Sequence, residues 1–145
     1  MSTIITFFVA PDDRSAAATH ASGPGGGARE SLSVGNFDPE EAVVEWECLL
    51  AGGSFTDLVD SGEPRTVAGQ DDDGCVVFAL SPRLSAALAD ADRSRLRDVA
   101  TSWAAQRAED GEAIDTNTAA AVVGDLADLV SRARRQGRAV YCWVA

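Results

Sequence analysis

Four carboxylates, Glu40, Glu41, Glu45 and Glu47, crowd one short stretch around Trp46. Paired carboxylates can do acid–base chemistry when one is buried and its pKa raised. Glu47, flanked by Trp46 and Cys48, lies closest to an apolar stripe, so Trp46 and Glu47 are the residues that could line a ligand pocket. The other three read as helix capping and a wet face. A second acidic group, Asp71-Asp72-Asp73-Gly74, invites a calcium reading. An EF-hand loop spreads its ligands over about twelve residues and ends on a bidentate Glu. Here the chain turns at once into an apolar run, so Asp71, Asp72 and Asp73 read as a solvated turn whose charge could contact a basic partner.

The remaining chemistry-bearing residues are sparse. His20 is the one histidine, with no nucleophile arranged around it. Ser81 lacks a G-x-S-x-G elbow and precedes Pro82, which suits a helix cap. Cys48, Cys75 and Cys142 are odd in number, lack C-x-x-C spacing and sit in apolar runs, as buried reduced thiols do. The run Ser22-Gly23-Pro24-Gly25-Gly26-Gly27 lacks the Lys-Ser/Thr ending of a phosphate loop and reads as a simple connection. No catalytic residue, metal site or cofactor is expected.

Charge narrows the partners. The 145 residues carry a net charge of −11, and all 12 basic residues are arginine. Such a balance repels phosphate backbones, so nucleic acid is not expected. The absence of lysine fits a GC-rich bacterial coding sequence. The one basic cluster, Arg132, Arg134, Arg135 and Arg138, closes a helix, where cations complement the helix dipole. No signal pattern and no apolar run of about 18 residues occurs, so a cytoplasmic protein without a membrane span is expected.

These residues must be positioned by a small set of elements. Residues 3–10, 75–80 and 139–145 are apolar almost throughout and read as strands. Asp12 or Asp13 can cap a short helix to about residue 21. Asp38-Pro39-Glu40-Glu41 is a capping-box start for a helix that buries Val43, Trp46, Leu49 and Leu50 and stops at Gly52-Gly53. A short helix over 54–61 uses Phe55, Leu58 and Val59, and 63–74 reads as a polar loop. Ser81-Pro82 and Asp92 open two more helices. Asp115 or Thr116 caps the longest one, with Val122, Val123, Leu126, Leu129, Val130 and Ala133 inward. Strands without polar alternation are buried on both faces. The expectation is therefore a single compact three-layer α/β domain over 1–145, with helices packed on both faces of a small, mainly parallel or mixed sheet. The terminal strand should lie in its interior.

The order of these pieces resembles the YfbM-like family of uncharacterised bacterial proteins. Ile4-Ile5-Thr6-Phe7-Phe8 resembles its opening strand, and Phe37-Asp38 through Leu49-Leu50-Ala51-Gly52 its signature helix. Glu63-Pro64 with Val67-Ala68-Gly69 resembles the following stretch. Val77-Phe78-Ala79-Leu80-Ser81 with Leu84, Ala87 and Leu88 resembles the strand-to-helix unit, and 126–145 the closing helix and strand. That helix usually carries a Trp and a His. Aligning Gly52 puts Val43 and Glu47 at those positions, so no site built on the family's histidine carries over. The resemblance implies a three-layer α/β domain and no particular activity.

Taken together, the residues point to a non-enzymatic acidic module that binds a basic protein, for example an immunity or antitoxin-like protein masking a basic nuclease. The competing reading is a small-molecule binder or modest enzyme with a pocket at Trp46 and Glu47. Self-association is the third.

Overall fold

A computed structural model describes residues 4–18, 31–35, 37–69, 75–112 and 114–145. His20, the glycine-rich 22–27 run and Asp71, Asp72 and Asp73 lie outside the described residues. The elements are β1 (Ile4–Ala10), α1 (Asp13–Ala17), β2 (Ser31–Gly35), α2 (Pro39–Ala51), α3 (Phe55–Asp60), β3 (Arg65–Ala68), β4 (Val76–Ala79), α4 (Pro82–Asp90), α5 (Arg93–Glu109), α6 (Thr116–Arg135) and β5 (Ala139–Val144).

The helices begin at the polar residues that can satisfy their first free amides. Asp12 accepts from Ser15 N at 2.8 Å, Ser54 from Asp57 N at 3.1 Å, and Asp92 from Arg95 N at 2.8 Å. Asp38 accepts from the amides of Glu40 and Glu41, and Ser81 from Leu84 N. Asp115 occupies the same position on α6, but its side chain makes no capping bond. Gly52 ends α2 at φ +86°, a conformation that disfavours side chains, and donates its N–H to Cys48 O.

The sheet corrects the expected direction. Its order is β2-β1-β5-β4-β3, and all four pairings are antiparallel rather than parallel or mixed. An unalternating apolar run reports burial on both faces, not strand direction. Direction follows from where the chain re-enters: after three helices β5 starts beside the end of β4, with Leu80 N donating to Val140 O at 3.2 Å. As expected of the terminal strand, β5 is central, paired with both β1 and β4.

Two strands were not expected, β2 and β3. Both are edges of four or five residues with few apolar groups. The Ser-Leu-Ser-Val alternation at 31–34 is the period-two signal that marks β2. At the end of β3, Gly69 takes φ +103°, and a Cβ there would meet Val76 Cα at 2.6 Å.

One sheet face, with Ile5, Phe7, Phe78, Val140 and Cys142, joins the main core formed with α2, α4, α5 and α6. The other gathers Phe8, Val77, Ala79 and Tyr141 beneath Ala16 of α1. At the centre of the main core Trp46 and Trp103 meet edge to face, with centroids 5.0 Å apart. Phe37 packs against both rings at 6.1 and 5.2 Å. No described helix is long and apolar enough to cross a membrane.

Candidate functional site

Helix α2 carries three groups of functional side chains on three sides. Residues four apart share a face, so Glu41 and Glu45 both look toward α5. Trp46 looks into the core and Glu47 toward α4.

The Trp46 side is closed. Trp46 has no exposed surface and packs against Phe7, Phe37 and Trp103, and its indole N–H has no hydrogen-bond partner among the described residues. Glu47 is 4 % exposed, so the carboxylates on this helix do include one that is buried. It accepts a hydrogen bond from the Ser81 hydroxyl, and the Arg83 guanidinium lies 3.8 Å away. Ser81 therefore does two things: its oxygen caps α4 and its proton anchors Glu47. Neither Trp46 nor Glu47 lines any of the three cavities described among these residues.

The C-terminus of α2 explains why α4 and α5 dock there. This helix has no basic residue in its last turn. Its free carbonyls are met from outside, Ala51 O by Arg83 at 2.5 Å and Leu49 O by Arg95 at 2.8 Å. Cations at that end also complement the helix dipole.

The Glu41–Glu45 side builds the candidate site. Arg107 of α5 is buried, with only 4 % of its side chain exposed, and its Nη2 lies 3.0 Å from Glu41, 2.7 Å from Glu45 and 2.9 Å from Asp110. Glu112 sits 3.3 Å from Nη1. Four carboxylates thus surround one guanidinium, leaving three negative charges with no matching cation among the described residues. Glu45 also accepts from the Trp103 indole N–H at 3.2 Å, which ties the cluster to the aromatic core. Burial disfavours charge on Arg107, but its bonds to Glu41 and Glu45 outweigh this and hold its pKa above the ordinary value. Burial likewise holds the Glu45 carboxyl above its ordinary range, against the opposing pull of Arg107. Glu41, expected to close a capping box with Asp38, turns to Arg107 instead.

Around this cluster lies a cleft of about 350 Å³, lined by Glu41, Glu45, Glu109 and Asp110 with Cys48 and Phe55. Oxygens of Glu41, Glu45 and Asp110 lie within 4.8 Å of one another, close enough to share a metal ion. The Arg107 guanidinium already occupies the cation position between them, so no metal is assigned. Phe55 and Val59, four apart on α3, are 41 % and 46 % exposed.

Arg107 is the residue that sequence reading passed over. Its signal was present: the buried stripe Val99, Ala100 and Trp103 continues at helical spacing onto an arginine. The sequence reads all three thiols as buried and reduced, and the structure buries only one of them. None forms a disulfide, though only Cys142 is fully buried and Cys48 and Cys75 are partly exposed. Burial raises the pKa of Cys142 and, with Glu47 adding to it, that of Cys48. No family model, curated protein or solved structure matches this chain.

Proposed function

We propose that this protein is a non-enzymatic acidic module that holds a basic protein partner, with the cleft between α2 and α5 as the contact. The observation that carries the reading is the set of unbalanced carboxylates around Arg107 beside a solvent-exposed Phe55. Excess negative charge steers a cationic surface to the cleft. An exposed aromatic at its edge supplies the apolar anchor from which interfaces draw much of their affinity. An arginine or lysine of the partner would enter among Glu41, Glu109 and Asp110. A basic nuclease masked in an immunity or antitoxin-like manner is the concrete version, and the overall negative balance sets the surface against nucleic acid itself. The same reading takes the chain as a cytoplasmic single domain related to the YfbM-like proteins. Its third layer is formed around α1, on the Phe8 and Tyr141 face.

Capture from native bacterial lysate at about 50 mM and about 500 mM salt tests this, because screening shortens sharply over that range. A basic partner should be retained at low salt and released at high salt. A variant carrying Phe55→Ser and Glu109→Gln should retain much less of it. Equal capture by the variant would move the contact elsewhere, and no basic partner at either salt would reject the module.

A further inference from the structure

The chain has 23 acidic residues and only 12 basic ones, yet one cavity has no acidic residue in its wall. It lies where β4 ends and β5 begins, beneath the start of α4 and the end of α6, and measures about 370 Å³. Leu80, Val130 and Val140 are among the apolar side chains lining it, while Arg65, Arg134 and Arg138 also border it. The arginine cluster at the end of α6 thus does more than complement a helix dipole: two of its members, with Arg65 from β3, border a single apolar hollow.

The pairing of these arginines fixes the charge of an occupant. Arg65 is held by Asp13 in a two-pronged pair at 2.6 and 3.1 Å, and Arg134 faces Asp90 at 3.2 Å. Arg138 makes no ion pair among the described residues. Three guanidiniums against two carboxylates leave one positive charge. The Tyr141 hydroxyl, also in the wall, donates its proton to Asp13 at 2.7 Å, so it is not free to donate to an anion.

We propose that this cavity binds a small monocarboxylate with an apolar body, its carboxylate on Arg138 and its alkyl chain or single ring over Leu80, Val130 and Val140. A guanidinium matches a carboxylate with two parallel N–H bonds. A phosphate dianion would need a second unpaired cation, which the wall does not offer. The volume stands at the lower end of small-ligand pockets and sets the limit on the body. This site is separate from the acidic cleft and opposite in charge, so it stands or falls independently of the partner reading.

Hexanoate is the probe, with hexanol as its neutral counterpart and inorganic phosphate as charge without a body. Amide shifts in a ¹⁵N-labelled protein should saturate with hexanoate at residues 80–86 and 130–141, with a dissociation constant of order 1 mM for so small a ligand. Hexanol and phosphate should each bind at least about tenfold more weakly. Arg138→Gln should weaken hexanoate about tenfold or more while thermal unfolding stays unchanged. Ala86→Leu, which fills the hollow, should weaken hexanoate and hexanol alike. Absence of saturable shifts, equal binding of hexanol or phosphate, or full affinity in Arg138→Gln would each overturn the assignment.

Discussion

Replacing Arg107 with methionine keeps most of its aliphatic volume and removes the charge that four carboxylates share. The partner that matters is Glu45, whose side chain is 10 % exposed; Glu41, Asp110 and Glu112 are 37 %, 61 % and 52 % exposed and can return to water. Removing one member of a buried ion pair costs about 3–5 kcal/mol. Exposed pairs contribute about 0–1 kcal/mol each. Because Glu45 keeps its bond from Trp103, a loss near the lower figure, about 3 kcal/mol, is expected at pH 7. For a chain of this size that lowers Tm by roughly 6–12 °C. The loss must depend on pH. Without Arg107 the Glu45 carboxyl, already raised by burial, rises further. A group with a raised folded pKa contributes its stability below the unfolded pKa and loses it as pH rises. The variant should therefore approach the wild type as pH falls from about 7 to about 5. Urea denaturation followed by Trp fluorescence reads this directly, and adding Glu45→Gln to the variant should restore much of the loss at pH 7. A cost below about 1 kcal/mol, or a double variant no more stable than the single one, would show that Arg107 does not hold a desolvated Glu45.

Two further outcomes follow from the sheet. Bonds from Arg65, and then from Tyr141, hold the Asp13 carboxyl below its ordinary range. A depressed carboxylate stabilises the fold above its unfolded pKa and ceases to do so as pH falls through the folded value. Asp13→Asn should thus be less stable than the wild type at pH 6, with the gap closing as pH falls through and below the ordinary carboxylate range. Denaturation midpoints across that range measure the gap, and a gap that persists in acid would refute the bonding. Deleting residues 139–145 removes the central strand, with buried Val140, Tyr141 and Cys142, and splits the sheet. At about 1.5–3 kcal/mol for each large apolar side chain, the loss approaches the whole of a domain's stability. No cooperative thermal transition should remain, and a sharp one would show that β5 is dispensable.

Local chemistry made much of this fold legible in the amino-acid order. Asp38-Pro39, Ser81-Pro82 and Asp92 each start a helix where a side-chain oxygen meets free amides, and the apolar stripe of α6 is buried as its spacing dictates. Such signals lie within a few residues of what they determine. The scarcity of His and the absence of Lys are likewise written in the composition and narrow the chemistry before any fold is known. Strand direction was not legible, because burial on both faces looks the same in parallel and antiparallel sheets. The short edge strands β2 and β3 were missed because they carry few apolar residues.

The candidate site belonged to the tertiary structure almost entirely. Glu41 and Glu45 read as a wet helix face until α5 brought Arg107, more than sixty positions away, against them. Glu47 read as the open question, and only Ser81, 34 positions on, closed it. The sequence by itself determined which side chains exist and which face of each helix is apolar, since those depend on residue type and spacing. Which carboxylates gather around one guanidinium, and which arginines border an apolar hollow, depended on how the helices cross the sheet. Those contacts join residues far apart in the chain, and no local pattern encodes them.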